Sequence, residues 1–321
     1  MLRRRTLQRK GAALTGAAAV LTVVWALGSV PAAAGSLSGT LYRDPTTQAA
    51  RWVSSNPNDS RAALIRDRIA AQPMARWMSY YEPSTVVSQV SSYVSAAKAQ
   101  SAVPQLVVYQ IPNRDCGGPS AGGAPTLQAY QTWIEMFAGA LGGDPVIVIL
   151  EPDSLALWTC LNNQQSSERT AALSKAVTTI KAKAPQAKVY LDAGHSAWNS
   201  PAVAADRLRA AGVLKSDGFY SNVSNFHYTN DEINFGRNVL AALGNNSNMH
   251  QVIDTGRNGN GPAGSQWCDP SGRKIGSAPT LNTGQATVDA FLWVKPPGEA
   301  DGCAATAGTF VPDLAYKLAG G

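Results

Sequence analysis

The chain has 321 residues, 45% hydrophobic and 15% charged, which is enough for one large folded domain. Its formal net charge of +6 is concentrated at the start: residues 1–34 hold 5 of the 27 lysines and arginines and no acid, leaving 22 basic against 21 acidic residues. That near balance excludes a basic face for nucleic acid or anionic lipid.

Arg3, Arg4, Arg5, Arg9 and Lys10 precede an uncharged apolar run over 11–30, and Ala32-Ala33-Ala34 offers small residues for cleavage. This reads as a signal peptide removed on export rather than a membrane anchor, so the mature chain is expected to be secreted, extracellular and free of the membrane. Arg4-Arg5-Thr6-Leu7 loosely resembles a twin-arginine signal. The 287 residues left, 35–321, suit a single catalytic barrel domain. No linker, second module or internal repeat is evident, and 35–60 reads as a polar, irregular wrap.

From there the pattern alternates. Helices are predicted over 60–71, 84–100, 126–141, 164–184, 201–211, 230–243 and 312–319. Strands are predicted over 75–79, 106–110, 146–150, 188–192, 218–223, 251–254 and 287–294. Strand and helix in alternation mean a parallel sheet. Seven strands fit a TIM-like α/β barrel better than an open dinucleotide-binding sheet, whose Gly-x-Gly-x-x-Gly turn does not follow the first strand.

Several of these apolar runs end in acid. Ile147-Val148-Ile149-Leu150 leads into Glu151-Pro152-Asp153, and Pro152 is expected to hold Glu151 extended. Asp115 follows the strand ending near Tyr109, Asp192 and Asp254 close their own strands, and Glu299 and Asp301 follow the last. Parallel strands would gather these acids on one rim, where barrel enzymes keep their chemistry. Such crowding costs stability through like-charge repulsion and is retained where it serves a function.

Asp153 and Asp115 are the natural pair. A second carboxylate nearby and partial burial raise the pKa of a proton donor, while Arg114, if close, would keep Asp115 charged. Tyr109 could press on a substrate ring. Trp77, Trp198, Trp267 and Trp293 fall at or past strand ends, where flat indoles suit sugar faces. Lys295, Glu299, Asn222 and Asn225 could bind hydroxyls. His195 near Asp192 and Ser196 suggests a hydrolytic triad, but no Gly-x-Ser-x-Gly elbow accompanies it. His195, His227 and His250 lack metal-ligand spacing, so neither a metal nor another cofactor is expected.

Cys116, Cys160, Cys268 and Cys303 form an even set without close ligand pairs, which in an exported chain implies two disulfides. Cys116 and Cys160 follow neighbouring strand ends, as do Cys268 and Cys303, so bridges 116–160 and 268–303 are expected on the rim.

The segment from Val107 through Tyr109, Asp115-Cys116-Gly117 and Gly122-Gly123 resembles the first signature of glycoside hydrolase family 6, and Ile147 to Ala156 resembles the second. Asp192 to Trp198, Asp254 to Gly259 and Lys295 to Gly302 are similar to further stretches of that family. The resemblance runs from about residue 40 to the C-terminus. It implies a distorted seven-stranded barrel cleaving β-1,4-glucan with inversion, with Asp153 as general acid. It also implies that Asp115 raises the acid's pKa and helps activate water, that Tyr109 distorts the ring, and that Asp301 is base or substrate ligand. Trp77, Trp198, Trp267, Trp293, Lys295 and Glu299 match sugar-binding positions. Asn225, His195, Asp192 and Ser120 complete the candidate substrate set, although Ser120-Ala121 stands where close relatives often carry two serines. The segments after the strands look too short for a closed tunnel, so an endoglucanase acting as a monomer on cellulose and cello-oligosaccharides is expected. The alternatives are an exo-acting cellobiohydrolase and a non-catalytic carbohydrate-binding barrel.

Overall fold

Val146–Leu150 is buried at all five positions, as a β-branched run must be when a sheet is covered on both faces. The computed structural model describes Met1, Leu2 and residues 37–321. Nearly all of the expected signal peptide therefore lies outside the described residues. The elements that follow all belong to one unit, within Ala32–Gly321.

In chain order they are β1 (Thr40–Leu41), α1 (Gln48–Ser55), α2 (Ala62–Ile65, continued by a π turn over Arg66–Ala70) and β2 (Arg76–Met78). Next come α3 (Val86–Ala99), β3 (Ala102–Val103), β4 (Gln105–Val108), α4 (Leu127–Ala140), β5 (Val146–Leu150) and α5 (Asn163–Lys183). The chain finishes with β6 (Ala187–Asp192), α6 (Pro201–Ala210), β7 (Gly218–Ser221), α7 (Thr229–Ala242), β8 (His250–Asp254), β9 (Val288–Leu292) and α8 (Pro312–Ala319). Local chemistry sets many boundaries. Asn162 and Gln165 form a capping box that starts α5, and Ser200 caps α6 with Pro201 at its first position.

Seven parallel strands make one sheet in the order β2-β4-β5-β6-β7-β8-β9, and β1 pairs with β3 apart from it. Alternation along each strand divides the core in two. Leu106, Val108, Val148 and Leu150 pack outward on helix residues such as Val90, Trp133 and Leu173. Val107, Ile147, Ile149, Tyr190, Tyr220 and Val252 fill the inside of the curl. No ladder joins β2 to β9. There the curl meets through the Ala75 N–H on Trp293 O at 3.0 Å and the Trp77 indole N–H on Val294 O at 2.7 Å. The expected distorted seven-stranded barrel is thus present, with a seam.

Three expectations need correction. Residues 35–60 are not wholly irregular, because α1 lies there, its first turn capped by the Thr47 hydroxyl. The segment between β8 and β9, 255–287, is long rather than short and has neither helix nor strand. Glu151 is not extended: its φ is +54°, in the left-handed region, and its carboxylate is captured by backbone N–H groups across the rim.

Both expected disulfides are present. Cys116–Cys160 ties the loop after β4 to the loop after β5, and Cys268–Cys303 ties the loop after β8 to the one after β9. They span 44 and 35 residues, so each is expected to stabilise by up to about 4 kcal/mol through loss of unfolded-chain entropy. Reductant should therefore lower the melting temperature by several degrees. Peptide mapping without reduction should recover both pairs; a free thiol at any of the four positions would contradict them.

Candidate active site

The acids at the strand ends divide into two groups. The first group is turned into the protein. Glu151 accepts the N–H of Gln110 at 2.8 Å and of Ile111 at 2.9 Å, holding the loop after the neighbouring β4. Burial pushes its carboxyl up to about 7. Asp192 accepts the N–H groups of Leu155 and Ala156 at 3.0 and 2.8 Å, which fixes the loop after β5. Asp254 accepts from Gly256 and Lys295, both at 2.9 Å, holding the loop after β9, and burial pushes its carboxyl up to about 6.

The second group faces a groove of about 1300 Å³ across the C-terminal ends of the strands. Asp153 and Asp115 both line it. Each has left-handed backbone, φ +68° and +56°, a conformation costly for a residue with a side chain and typical of functional sites. Burial first, then the charges of Asp192 and Asp115, push the Asp153 carboxyl up to about 8. Burial also drives the Tyr109 phenol far above its usual range. The Tyr109 ring is held edge-on to Trp77, centroids 5.3 Å apart, with the Arg114 guanidinium 4.5 Å over its face.

Arg114 does not form the expected partnership with Asp115. Its guanidinium donates to the carbonyls of Ser79, Tyr109 and Ser120, and so fixes the loop rather than a charge. Asp115 Oδ2 instead accepts the Ser120 N–H at 2.7 Å. Two glycines permit this packing. A Cβ at Gly118 would lie 2.6 Å from Asp115 Oδ2, and one at Gly122, where φ is +146°, would lie 2.8 Å from Arg114 Nη2.

Asp301 lines the opposite wall, but both its oxygens are engaged by Arg257 Nη1, at 3.0 and 2.8 Å, and Lys295 Nζ stands 3.5 Å away. Lys295 also donates to Ala300 O at 2.9 Å; burial lowers its pKa. Glu299 lies beside them, pushed up to about 7 by burial. His195 stacks on His227 with centroids 4.1 Å apart and lies 5.2 Å from the Trp198 ring. Burial, then the neighbouring His227 ring, lower His195 to about 3, so it is neutral at ordinary pH.

Trp77, Trp198 and Trp267 line the groove, as do Asn225 and Ser120. Trp267 is 52% exposed, an indole face open to solvent. Three expected ligands do not reach it. Trp293 is 1% exposed, packed among Ile65, Ile69 and Ala315 behind the sheet with its N–H on Ser277 O. It closes a strand like the others, but the strand's alternation sends it to the outer face. Asp192 is 2% exposed and spends its oxygens on backbone N–H groups. Asn222, also named as a possible ligand, is fully buried and bonds the carbonyls of His227 and Asp254. The sequence reading missed Arg257, whose pairing with Asp301 spans 44 positions. Among the described residues no group of three His, Cys, Asp or Glu side chains converges to hold a metal ion.

The model of the family "Glycosyl hydrolases family 6" matches residues 37–314. Endoglucanase A of Thermobispora bispora is 50% identical over 310 residues, covering 96% of this chain and 67% of that one. Endoglucanase 1 of Streptomyces sp. (strain KSM-9) is 49% identical over 272 residues, 84% of this chain and 75% of its own. Among solved structures, the endoglucanase Cel6 of Mycobacterium tuberculosis, in complex with methyl-cellobiosyl-4-deoxy-4-thio-β-D-cellobioside, superposes with a TM-score of 0.82. It is 40% identical, and the match covers 88% of this chain and 96% of that one. With the family model matched over nearly all of the described residues, and a relative half identical over 96% of the chain, the chain belongs to glycosyl hydrolase family 6.

Proposed function

We propose that this protein hydrolyses internal β-1,4-glucosidic bonds of cellulose and related glucans with inversion at the anomeric carbon, acting as a secreted monomer after loss of a leader within 1–34. The observation that carries this reading is the Asp153 carboxyl, pushed up to about 8 and so protonated at neutral pH, on the floor of a groove walled by indoles. A protonated carboxyl can give its proton to the glycosidic oxygen as the bond breaks. Tyr109 lines the same groove as that carboxyl, its ring held by Trp77 and Arg114 where it can press on the sugar. The Asp115 charge helps keep Asp153 protonated and stands ready to orient a water on the other side of the sugar. Asp301, occupied by Arg257 and Lys295, serves this reading better as the anchor of the Lys295 wall than as the base. The Thermobispora and Streptomyces relatives named above are both called endoglucanases, which favours attack within the chain over attack at its ends. No helix among the described residues is long and apolar enough to cross a membrane.

On carboxymethylcellulose, viscosity should collapse while few reducing ends appear, and proton NMR of a cello-oligosaccharide digest should show the α-anomer first. A slow viscosity loss would mean exo attack, and an initial β-anomer would mean a covalent intermediate, ending the inverting assignment.

Asp153→Asn should lower kcat on cellulose by about 10²–10⁴-fold, the usual worth of a general acid, with far smaller loss on a substrate bearing a good leaving group. Activity near that of the wild type on carboxymethylcellulose would remove Asp153 from the role.

The same substitution should raise stability in a pH-dependent way. A carboxyl raised from 3.8 to about 8 in the fold contributes stability that is whole below 3.8 and lost as pH rises through about 8. Asparagine has no such loss, so the melting temperature of the variant relative to the wild type should climb between pH 4 and pH 8.5, by about 2–4 °C per kcal/mol recovered. A difference that is flat across that range would show Asp153 to titrate as an ordinary surface acid.

A further inference from the structure

The first residue of α1, Gln48, reaches across 251 positions of sequence to Glu299. Its amide is fully used. Nε2 donates to Glu299 Oε1 at 2.7 Å and to Gly308 O at 2.7 Å, and Oε1 accepts the Phe310 N–H at 3.2 Å. The orientation of the amide is fixed by this set, since reversing it would point a carbonyl oxygen at a carboxylate and at another carbonyl. All three partners lie on one antiparallel turn of chain, held by Glu299 opposite Phe310 and by the Ala300 N–H on Thr309 O. Gln48, Glu299, Gly308 and Thr309 all line the groove. Gln48 is itself placed by α1, whose Thr47 cap accepts the Ala50 N–H and whose Trp52 ring lies 6.1 Å from Phe310.

We infer that Gln48 is a positioning residue for substrate binding: it aims the Glu299 carboxylate at sugar hydroxyls and so makes the N-terminal segment part of the glucan site. The inference rests on the reading of the groove as a glucan site. A carboxylate on a turn between β9 and α8 has several rotamers of similar energy. One charge-assisted bond from an amide that is itself pinned selects among them. Glu299 faces Lys295, Arg257 and Arg51 as its other charged neighbours. Of these, Lys295 and Arg257 are shared with Asp301, whereas Gln48 bonds Glu299 and not Asp301. Gln48 therefore acts on Glu299 separately from the rest of that wall.

The test is steady-state kinetics on cellotetraose and carboxymethylcellulose for wild type, Gln48→Leu, Glu299→Gln and the double variant. At pH 8, where Glu299 is charged, Gln48→Leu should raise KM about tenfold, the worth of one hydrogen bond to a charged group, with a smaller change in kcat. The double variant should have the KM of Glu299→Gln alone, because Gln48 acts on substrate through Glu299 and its other two bonds go to backbone. Gln48→Glu supplies a second reading should the leucine variant fold poorly: its KM should stay near that of the wild type at pH 5 and rise by pH 8, when two carboxylates face each other. An unchanged KM with only a lowered melting temperature, or KM effects that multiply independently, would reduce Gln48 to a clamp between chain segments and overturn the inference. A wild type inactive on every β-glucan would instead overturn the glucan reading itself, and this inference with it.

Discussion

The rim is organised by buried carboxylates that accept backbone N–H groups from the loop next door. Glu151 holds the loop after β4, Asp192 the loop after β5, and Asp254 the loop after β9. Burying a carboxylate costs several kcal/mol unless its lone pairs are satisfied, and backbone N–H donors satisfy them with charge-assisted bonds. Each loop is thus tied to a strand that is not its own. The left-handed backbone at Asp115, Glu151, Asp153, Asn222 and Ser224 can persist only because the surroundings overdetermine it in this way. Without those clamps the groove-facing acids would have no fixed address.

Position then sets electrostatics. Asp153 sits where burial and two neighbouring acids oppose its ionisation, while the cations of the opposite wall are largely consumed by Asp301. The same wall keeps Lys295 from pairing with Asp153, although its charge still draws the Asp153 pKa down a little. Neutral His195 and His227, stacked face to face, add shape to the groove without adding charge. Stability is lost at this site so that a proton is held there at neutral pH.

The barrel was legible because each strand announces itself as a short apolar run, and six of the seven helices expected lie within two residues of where the pattern put them. The sixty-odd region is the exception, where α2 passes into a π turn that no periodicity reveals. The disulfide pairing followed from which cysteines lie after adjacent strands. What sequence could not supply was direction and distance. Asp192 and Asp153 look alike as strand-end acids, yet one turns inward and the other outward. Trp293 and Trp77 both sit near strand ends, yet only one meets the groove. Gln48 and Arg257 take their meaning from partners 251 and 44 positions away, a separation at which local patterning carries no signal.

The seam between β2 and β9 has a mechanical consequence. A closed barrel is stiff in girth, because widening it anywhere stretches a ladder of hydrogen bonds. Here the tube is a rolled sheet whose two edges touch through one backbone bond and one indole. Its girth can change by parting that contact while every ladder stays whole. The compliant line emerges at the rim between Trp77 and Lys295, inside the groove itself. Widening the groove along that line breaks two hydrogen bonds, whereas displacing the loops that carry Asp115 and Asp153 breaks the backbone clamps of Glu151 and Asp192.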